Sequence, residues 1–146
     1  MGPLPGNIVF EKYQADRAFA KSVDALFDTA EPDIDRFAKR RRIPLDPWYH
    51  DLPIWIMKWE EGGMTRTIQI VAGLNTPSDE PLLSIVSIVY RDEREFRKTQ
   101  NTGTVAGGLR YQELKDGEKT IQLLEAAFKN AERVSELELT ATRTFS

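Results

Sequence analysis

The stretch that decides the fold is residues 54–74, IWIMKWEEGGMTRTIQIVAGL. Two runs within it, Ile54–Glu60 and Met64–Leu74, carry the β-branched, aromatic and alternating residues that are typical of strands. Between them, Glu61-Gly62-Gly63 predicts a hairpin turn, because glycine adopts the positive φ angles that tight hairpins need. The next run, Leu82–Arg91, is the most apolar, and it predicts a central strand covered on both faces. The middle of the chain therefore predicts an antiparallel sheet.

Helical periodicity precedes this region. Apolar residues recur at helical spacing from Phe19 to Phe27, with Asp16 as the expected N-cap. A second helix is predicted to begin at Glu31-Pro32, since proline is favoured at the first position of a helix. The prolines of Pro44–Pro53 predict an irregular connector between the helices and the sheet.

A late helix is predicted to begin at Asp116-Gly117. Its core-facing residues recur at spacings of three and four, as an amphipathic helix requires. They are Ile121, Leu124, Phe128, Ala131 and Val134. After this helix, residues 137–145 alternate between apolar and polar side chains and predict a strand with one solvated face.

The remaining segments carry weaker patterns. Residues 1–7 are predicted to be a flexible lead-in, and Ile8–Tyr13 to be a short strand. Gln100–Gly108 is predicted to be a flexible loop between two strands, and Leu109–Leu114 to be the second of these.

Together these elements predict a single α+β domain spanning residues 1–146. We expect a two-layer sandwich, with a mostly antiparallel sheet of about five strands and with two N-terminal helices and one late helix on one face. Three helices cannot easily cover both faces of such a sheet. The second face is therefore predicted to be solvated or covered by another copy of the chain.

The composition excludes several kinds of site. The chain has no cysteine and a single histidine, so disulfides, thiolate metal sites and sites with two imidazoles are excluded. No hydrolase or phosphate-loop motif is present, and the sequence predicts no catalytic residues, no cofactor and no metal site. No apolar run approaches the roughly 18 residues of a membrane span, so a cytoplasmic protein is expected.

An aromatic group is the first candidate site. All three tryptophans, Trp48, Trp55 and Trp59, lie close together in sequence with Tyr49 and His50. Trp55 and Trp59 share one face of their strand, while Ile54 and Ile56 share the other. If the isoleucine face packs on the helices, the tryptophan face is left to complete the core, form a dimer or line a small-molecule pocket.

A basic run is the second candidate site. Lys39, Arg40, Arg41 and Arg42 invite a nucleic-acid interpretation, although cations in the last turn of a helix also satisfy the helix dipole. The net charge of −3 argues mildly against a protein that mainly binds polyphosphate.

Three functions follow from these patterns. The leading one is a non-enzymatic interaction module that forms a homodimer through its sheet and presents a surface to a protein partner. The second is a small ligand-binding or enzymatic domain with a pocket lined by the aromatic group of residues 48–59. The third is a nucleic-acid-associated protein that uses residues 40–42.

Overall fold

A computed structural model describes residues 5–75, 80–91 and 104–134 of the chain. Within these ranges it is an α+β fold in which five antiparallel strands form one open sheet, in the order β1-β2-β3-β4-β5. The strands are β1 Leu45–Asp46, β2 Ile54–Glu61, β3 Met64–Asn75, β4 Glu80–Tyr90 and β5 Thr104–Leu109. The helices are α1 Pro5–Ala15, α2 Arg17–Arg41, α3 Tyr111–Leu114 and α4 Gly117–Arg133.

The predicted hairpin is confirmed. Strands β2 and β3 pair from Ile54 opposite Val71 to Glu61 opposite Met64. The two residues of the turn, Gly62 and Gly63, have φ angles of 63° and 75°, which glycine adopts without steric cost. Strand β4 lies inside the sheet between β3 and β5, while the middle position belongs to β3.

The predicted break at Pro32 is wrong, because α2 continues through it as one helix from Arg17 to Arg41. A proline inside a helix costs about 3 kcal/mol, since it removes one backbone hydrogen bond and crowds the preceding turn. The apolar stripe on either side of Pro32 stays in phase, so Phe27, Ile34 and Phe37 are all almost completely buried. Burying each of these side chains contributes roughly 1.5–3 kcal/mol, which outweighs the proline. Asp16 caps the helix as predicted, accepting a hydrogen bond from the backbone N–H of Phe19.

Two predicted strands are helices instead. Ile8–Tyr13 lies within α1, where Val9 and Tyr13 fall one helical turn apart and both pack on the core. This helix begins at Pro5, inside the segment predicted as a lead-in. Leu109 ends β5 rather than beginning a strand, and α3 follows it. A capping box fixes that start, since the carboxylate of Glu113 accepts a hydrogen bond from the backbone N–H of Arg110.

The predicted loop at Gln100–Gly108 is wrong from residue 104 onwards, where β5 pairs with β4. The predicted strand at residues 137–145 lies outside the described residues. Helix α4 begins where predicted, with the carboxylate of Asp116 accepting a hydrogen bond from the N–H of Glu118.

The helices pack on one face of the sheet. That face presents Trp55 and Met57 from β2, Ile68 and Ile70 from β3, and Ile85 from β4 to the helices. All five side chains are at most 3 % exposed. The tryptophan face of β2 therefore packs on the helices and completes the core, one of the alternatives left open by the sequence, and the isoleucine face points the other way. Both faces of this strand are apolar, so alternation alone does not distinguish them.

Candidate functional site

The sheet face opposite the helices, here called the second face, is partly apolar and partly polar. The strand register brings Ile56 of β2, Gln69 of β3 and Val86 of β4 side by side across it. The next row along contains Lys58, Thr67 and Ile88. The second face therefore offers apolar contact together with a small number of hydrogen-bonding groups.

A pocket of about 790 Å³ lies where the second face meets the connector between α2 and β2. The connector supplies one wall, and strands β2, β3 and β4 supply the rest. The lining residues of this second-face pocket are Pro44, Leu45, Asp46, Tyr49, Ile56, Lys58, Trp59, Glu60, Thr67, Gln69 and Tyr90. This volume falls in the range of roughly 300–1,000 Å³ that small-molecule sites occupy.

Backbone strain is concentrated in the connector beside this pocket. Trp48, His50 and Asp51 have φ angles of 53°, 52° and 60°, in the left-handed region that costs a non-glycine residue of order 1 kcal/mol or more. Trp48 is turned inward, with its ring 5.0 Å from that of Phe27. Tyr49 is turned outward to the pocket and remains 39 % exposed. Packing of Trp48 thus holds a strained turn that places Tyr49 at the pocket.

The structure divides the predicted aromatic group between the core and the pocket. Trp55 belongs to the core, where its ring stacks on that of Phe27 with the centroids 5.2 Å apart, and Trp48 is partly buried and packs against the core. The indole N–H of Trp55 is buried and has no hydrogen-bond partner among the described residues. Only Tyr49 and Trp59 of the group line the pocket, while His50 contacts the ring of Tyr49 at 4.0 Å.

Trp59 connects the pocket to the helical layer. Its ring stacks on that of Phe128 from α4, with the centroids 5.2 Å apart and an interplanar angle of 24°. Trp59 is also among the residues that line the pocket, at the edge of β2. Its side chain shares the helix-facing side of that strand with Trp55 and Met57.

The four residues of the basic run do not act as one surface. The ammonium of Lys39 lies 2.8 Å from the carboxylate of Asp35, and this hydrogen bond raises the pKa of Lys39 above its ordinary value. Arg41 forms an ion pair with Glu125 of α4, and its guanidinium lies over the ring of Phe37 at 3.9 Å from the centroid. Two of the four cations are thus engaged within the chain.

The other two cations, Arg40 and Arg42, are exposed. Arg42 ends α2 in the left-handed conformation, with its backbone N–H donating to the carbonyls of the last turn. This geometry reproduces the helix-end arrangement expected from the sequence.

Sequence patterns did not single out the polar floor of the pocket. Thr67 and Gln69 alternate with Ile68 and Ile70, and this alternation is typical of an ordinary solvated strand face. Two features that distinguish Thr67 and Gln69 are visible only in the structure. Both are at least nine-tenths buried, and the connector folds over beside them.

Metal and membrane sites were also sought in the part of the chain that the structure describes. No three histidine or carboxylate side chains there are grouped closely enough to hold a metal ion. None of the described helices is both long and apolar enough to cross a membrane.

Fold and site together define an α+β domain with a helix-covered sheet and a pocket on the opposite face. Comparisons with protein-family models, curated proteins and solved structures find no match to this chain.

Proposed function

We propose that this chain is a small-ligand-binding domain and that its ligand occupies the second-face pocket. The observation that carries the proposal is a pocket of about 790 Å³ with aromatic side chains in its walls and polar side chains in its floor. Ligand sites combine predominantly apolar walls with a few placed polar groups that fix orientation. Tyr49 and Tyr90 supply aromatic walls, and Thr67 and Gln69 supply polar groups.

The strained connector supports this function. Left-handed non-glycine residues persist where the surrounding structure holds them, and they cluster at binding and catalytic sites. Here three of them lie within four positions, next to the tyrosine that reaches the pocket. A ligand held against Tyr49 would use a side chain whose position is already fixed by the packing of Trp48.

The experiment uses anilinonaphthalene sulfonate, a dye whose fluorescence rises in apolar pockets. We expect saturable binding to the full chain and a simultaneous change in Trp59 emission. Ile56→Trp fills the floor of the pocket and is expected to abolish this binding, whereas Trp59→Phe removes the emission change. Val105 is 63 % exposed and away from the pocket, so Val105→Thr serves as the control that leaves dye binding intact. Binding that is equal in Ile56→Trp and Val105→Thr would contradict the proposal.

A homodimer or protein partner that uses the second face is a second candidate. Its support is the apolar part of that face, where Val71, Leu82 and Val86 are only partly buried and Val105 is exposed on the neighbouring strand. Aromatic and aliphatic groups of this kind are common at the centre of interfaces. Light scattering after size exclusion should then show a dimer that Val86→Lys disperses. A monomer at high protein concentration would remove the homodimer.

A further inference from the structure

Gln69 is the polar group of the pocket that the fold itself leaves without a partner. It lies in the middle of β3, opposite Ile56 on one neighbouring strand and Val86 on the other. It is only 9 % exposed, yet its side-chain amide forms no hydrogen bond within the described part of the chain. The amide keeps some contact with the open volume of the pocket, since the fully buried polar atoms without a partner among the described residues are those of Trp55 and Thr120. The amide lines the pocket, so a bound molecule can supply the missing partners.

The hydrogen-bonding character of this floor is specific. The Gln69 amide offers one carbonyl acceptor and two N–H donors in a single plane. Thr67, two residues earlier on the same face, already donates its hydroxyl proton to the carbonyl of Ile88 at 2.8 Å. Its oxygen keeps lone pairs that can accept a further hydrogen bond. The floor thus matches a ligand edge that has an acceptor beside an amino group.

The walls and the rim of the pocket further restrict the class of ligand that fits. Tyr49 and Tyr90 supply aromatic rings against which a flat ring can stack. The rim carries the carboxylates of Asp46 and Glu60 and the ammonium of Lys58, so one negative charge is in excess. This balance disfavours a polyphosphate.

We infer, as a deepening that rests on the proposed function, that the pocket takes a neutral, amino-substituted planar nitrogen heterocycle of the nucleobase type. Gln69 binds the edge that carries the ring nitrogen and the amino group, as glutamine side chains do with adenine. Thr67 accepts a hydrogen bond from the same amino group. The ring stacks among the aromatic walls.

Calorimetric titration with adenine, purine and anilinonaphthalene sulfonate tests this assignment. Purine keeps the ring and lacks the amino group, so we expect it to bind at least about tenfold more weakly than adenine. Gln69→Leu, which keeps the approximate shape and removes the amide, should remove that preference. Gln122→Leu, at an exposed position of α4, is the matched control and should leave it unchanged.

Thermal unfolding separates a binding role of Gln69 from a structural one. Because the amide has no partner in the fold, Gln69→Leu should leave the melting temperature unchanged or raise it. A marked fall would show that the fold uses the amide, and it would overturn the inference.

The outcomes also separate the ligand class from the site. The proposed ligand class is wrong, and the pocket is still supported, in either of two cases. In the first, anilinonaphthalene sulfonate binds and Ile56→Trp abolishes its binding, while adenine does not bind. In the second, Gln69→Leu leaves adenine binding unchanged. If neither compound binds, the proposed function fails and the inference fails with it.

Discussion

The guanidinium of Arg66 on β3 donates a hydrogen bond of 2.9 Å to the backbone carbonyl of Val134, the residue at which α4 ends. The same group donates to the carbonyls of Ala131 and Glu132, so one side chain satisfies three carbonyls of the last turn. Arg66 is only 5 % exposed. A buried cation at the negative end of the helix dipole thereby ties α4 to the sheet.

Replacing Arg66 is expected to be costly. Arg66→Met leaves buried carbonyls without donors, and we expect it to lower the free energy of unfolding by about 2–4 kcal/mol. Denaturant titration followed by circular dichroism measures the change. Arg36→Met is the control, because the Arg36 side chain is exposed and its ion pair with Asp33 is long, at 3.8 Å, so it should contribute less than about 1 kcal/mol. Equal effects of the two substitutions would contradict the role assigned to Arg66.

Gly117, the first residue of α4, is required by a close approach of α2. A Cβ added there would lie 2.6 Å from Oδ1 of Asp33, which is shorter than van der Waals contact. Alanine is the better helix former, so Gly117→Ala would ordinarily stabilise a helix. Here we expect a loss of about 1–3 kcal/mol through overpacking. The loss should shrink when Asp33→Ala is also present, and a double-mutant cycle measures the coupling. A cycle without coupling would contradict the contact.

Tyr13 links α1 to α2, since its hydroxyl donates a hydrogen bond of 2.7 Å to the carboxylate of Asp24. Burial, followed by this hydrogen bond and the negative charge of Asp24, raises the pKa of Tyr13 from 10.0 to about 12. The protonated phenol is thus favoured in the folded state. Its contribution to stability is complete below pH 10 and is lost as the pH rises from 10 through 12.

Spectrophotometric titration of tyrosinate should therefore show a late phase to which Tyr13 contributes in the folded chain. Tyr13→Phe should diminish this phase, whereas Tyr111→Phe, at an exposed position, should retain it in full. A late phase of unchanged size in Tyr13→Phe would show that another tyrosine is responsible.

Arg41 and Arg40 are adjacent, but the structure gives them different roles. Arg41 pairs with Glu125 and lies over the ring of Phe37, whereas Arg40 is exposed. We expect Arg41→Ala to lower the free energy of unfolding by about 1–2 kcal/mol and Arg40→Ala to change it by less than about 0.5 kcal/mol. Thermal melts of both variants provide the comparison. A larger loss of stability in Arg40→Ala than in Arg41→Ala would indicate that Arg41 does not anchor α2 to α4 in this way.

Local patterns predicted the parts of the fold that local physics controls. The hairpin follows from two glycines that take positive φ angles, and α4 follows from its capping aspartate and its apolar stripe. The strand predicted at Ile8–Tyr13 was wrong because a short run of β-branched and aromatic residues is compatible with both a strand and a helix. The helix start predicted at Pro32 was wrong because burial of the apolar side chains of α2 stabilises the helix by more than the proline destabilises it.

The site was less predictable than the fold. Whether Trp55 or Ile56 faces the helices depends on the connector, since β2 is apolar on both faces. That connector turns Trp48 into the core beside Trp55, which fixes the choice. Gln69 carries no signal in the sequence, because its importance arises from its position in the pocket, a property of the assembled sheet.

The most direct test of the binding pocket is fluorine NMR of the chain labelled with 5-fluorotryptophan. Spectra are recorded during titration with adenine and with anilinonaphthalene sulfonate. The three tryptophans give three resonances, which Trp→Phe variants assign. Trp59 lines the pocket, while Trp55 packs in the core and Trp48 packs against it. We predict that ligand shifts the Trp59 resonance in a saturable way and leaves the other two in place. Three stationary resonances, or a shift confined to Trp48 and Trp55, would contradict a binding site on the second face.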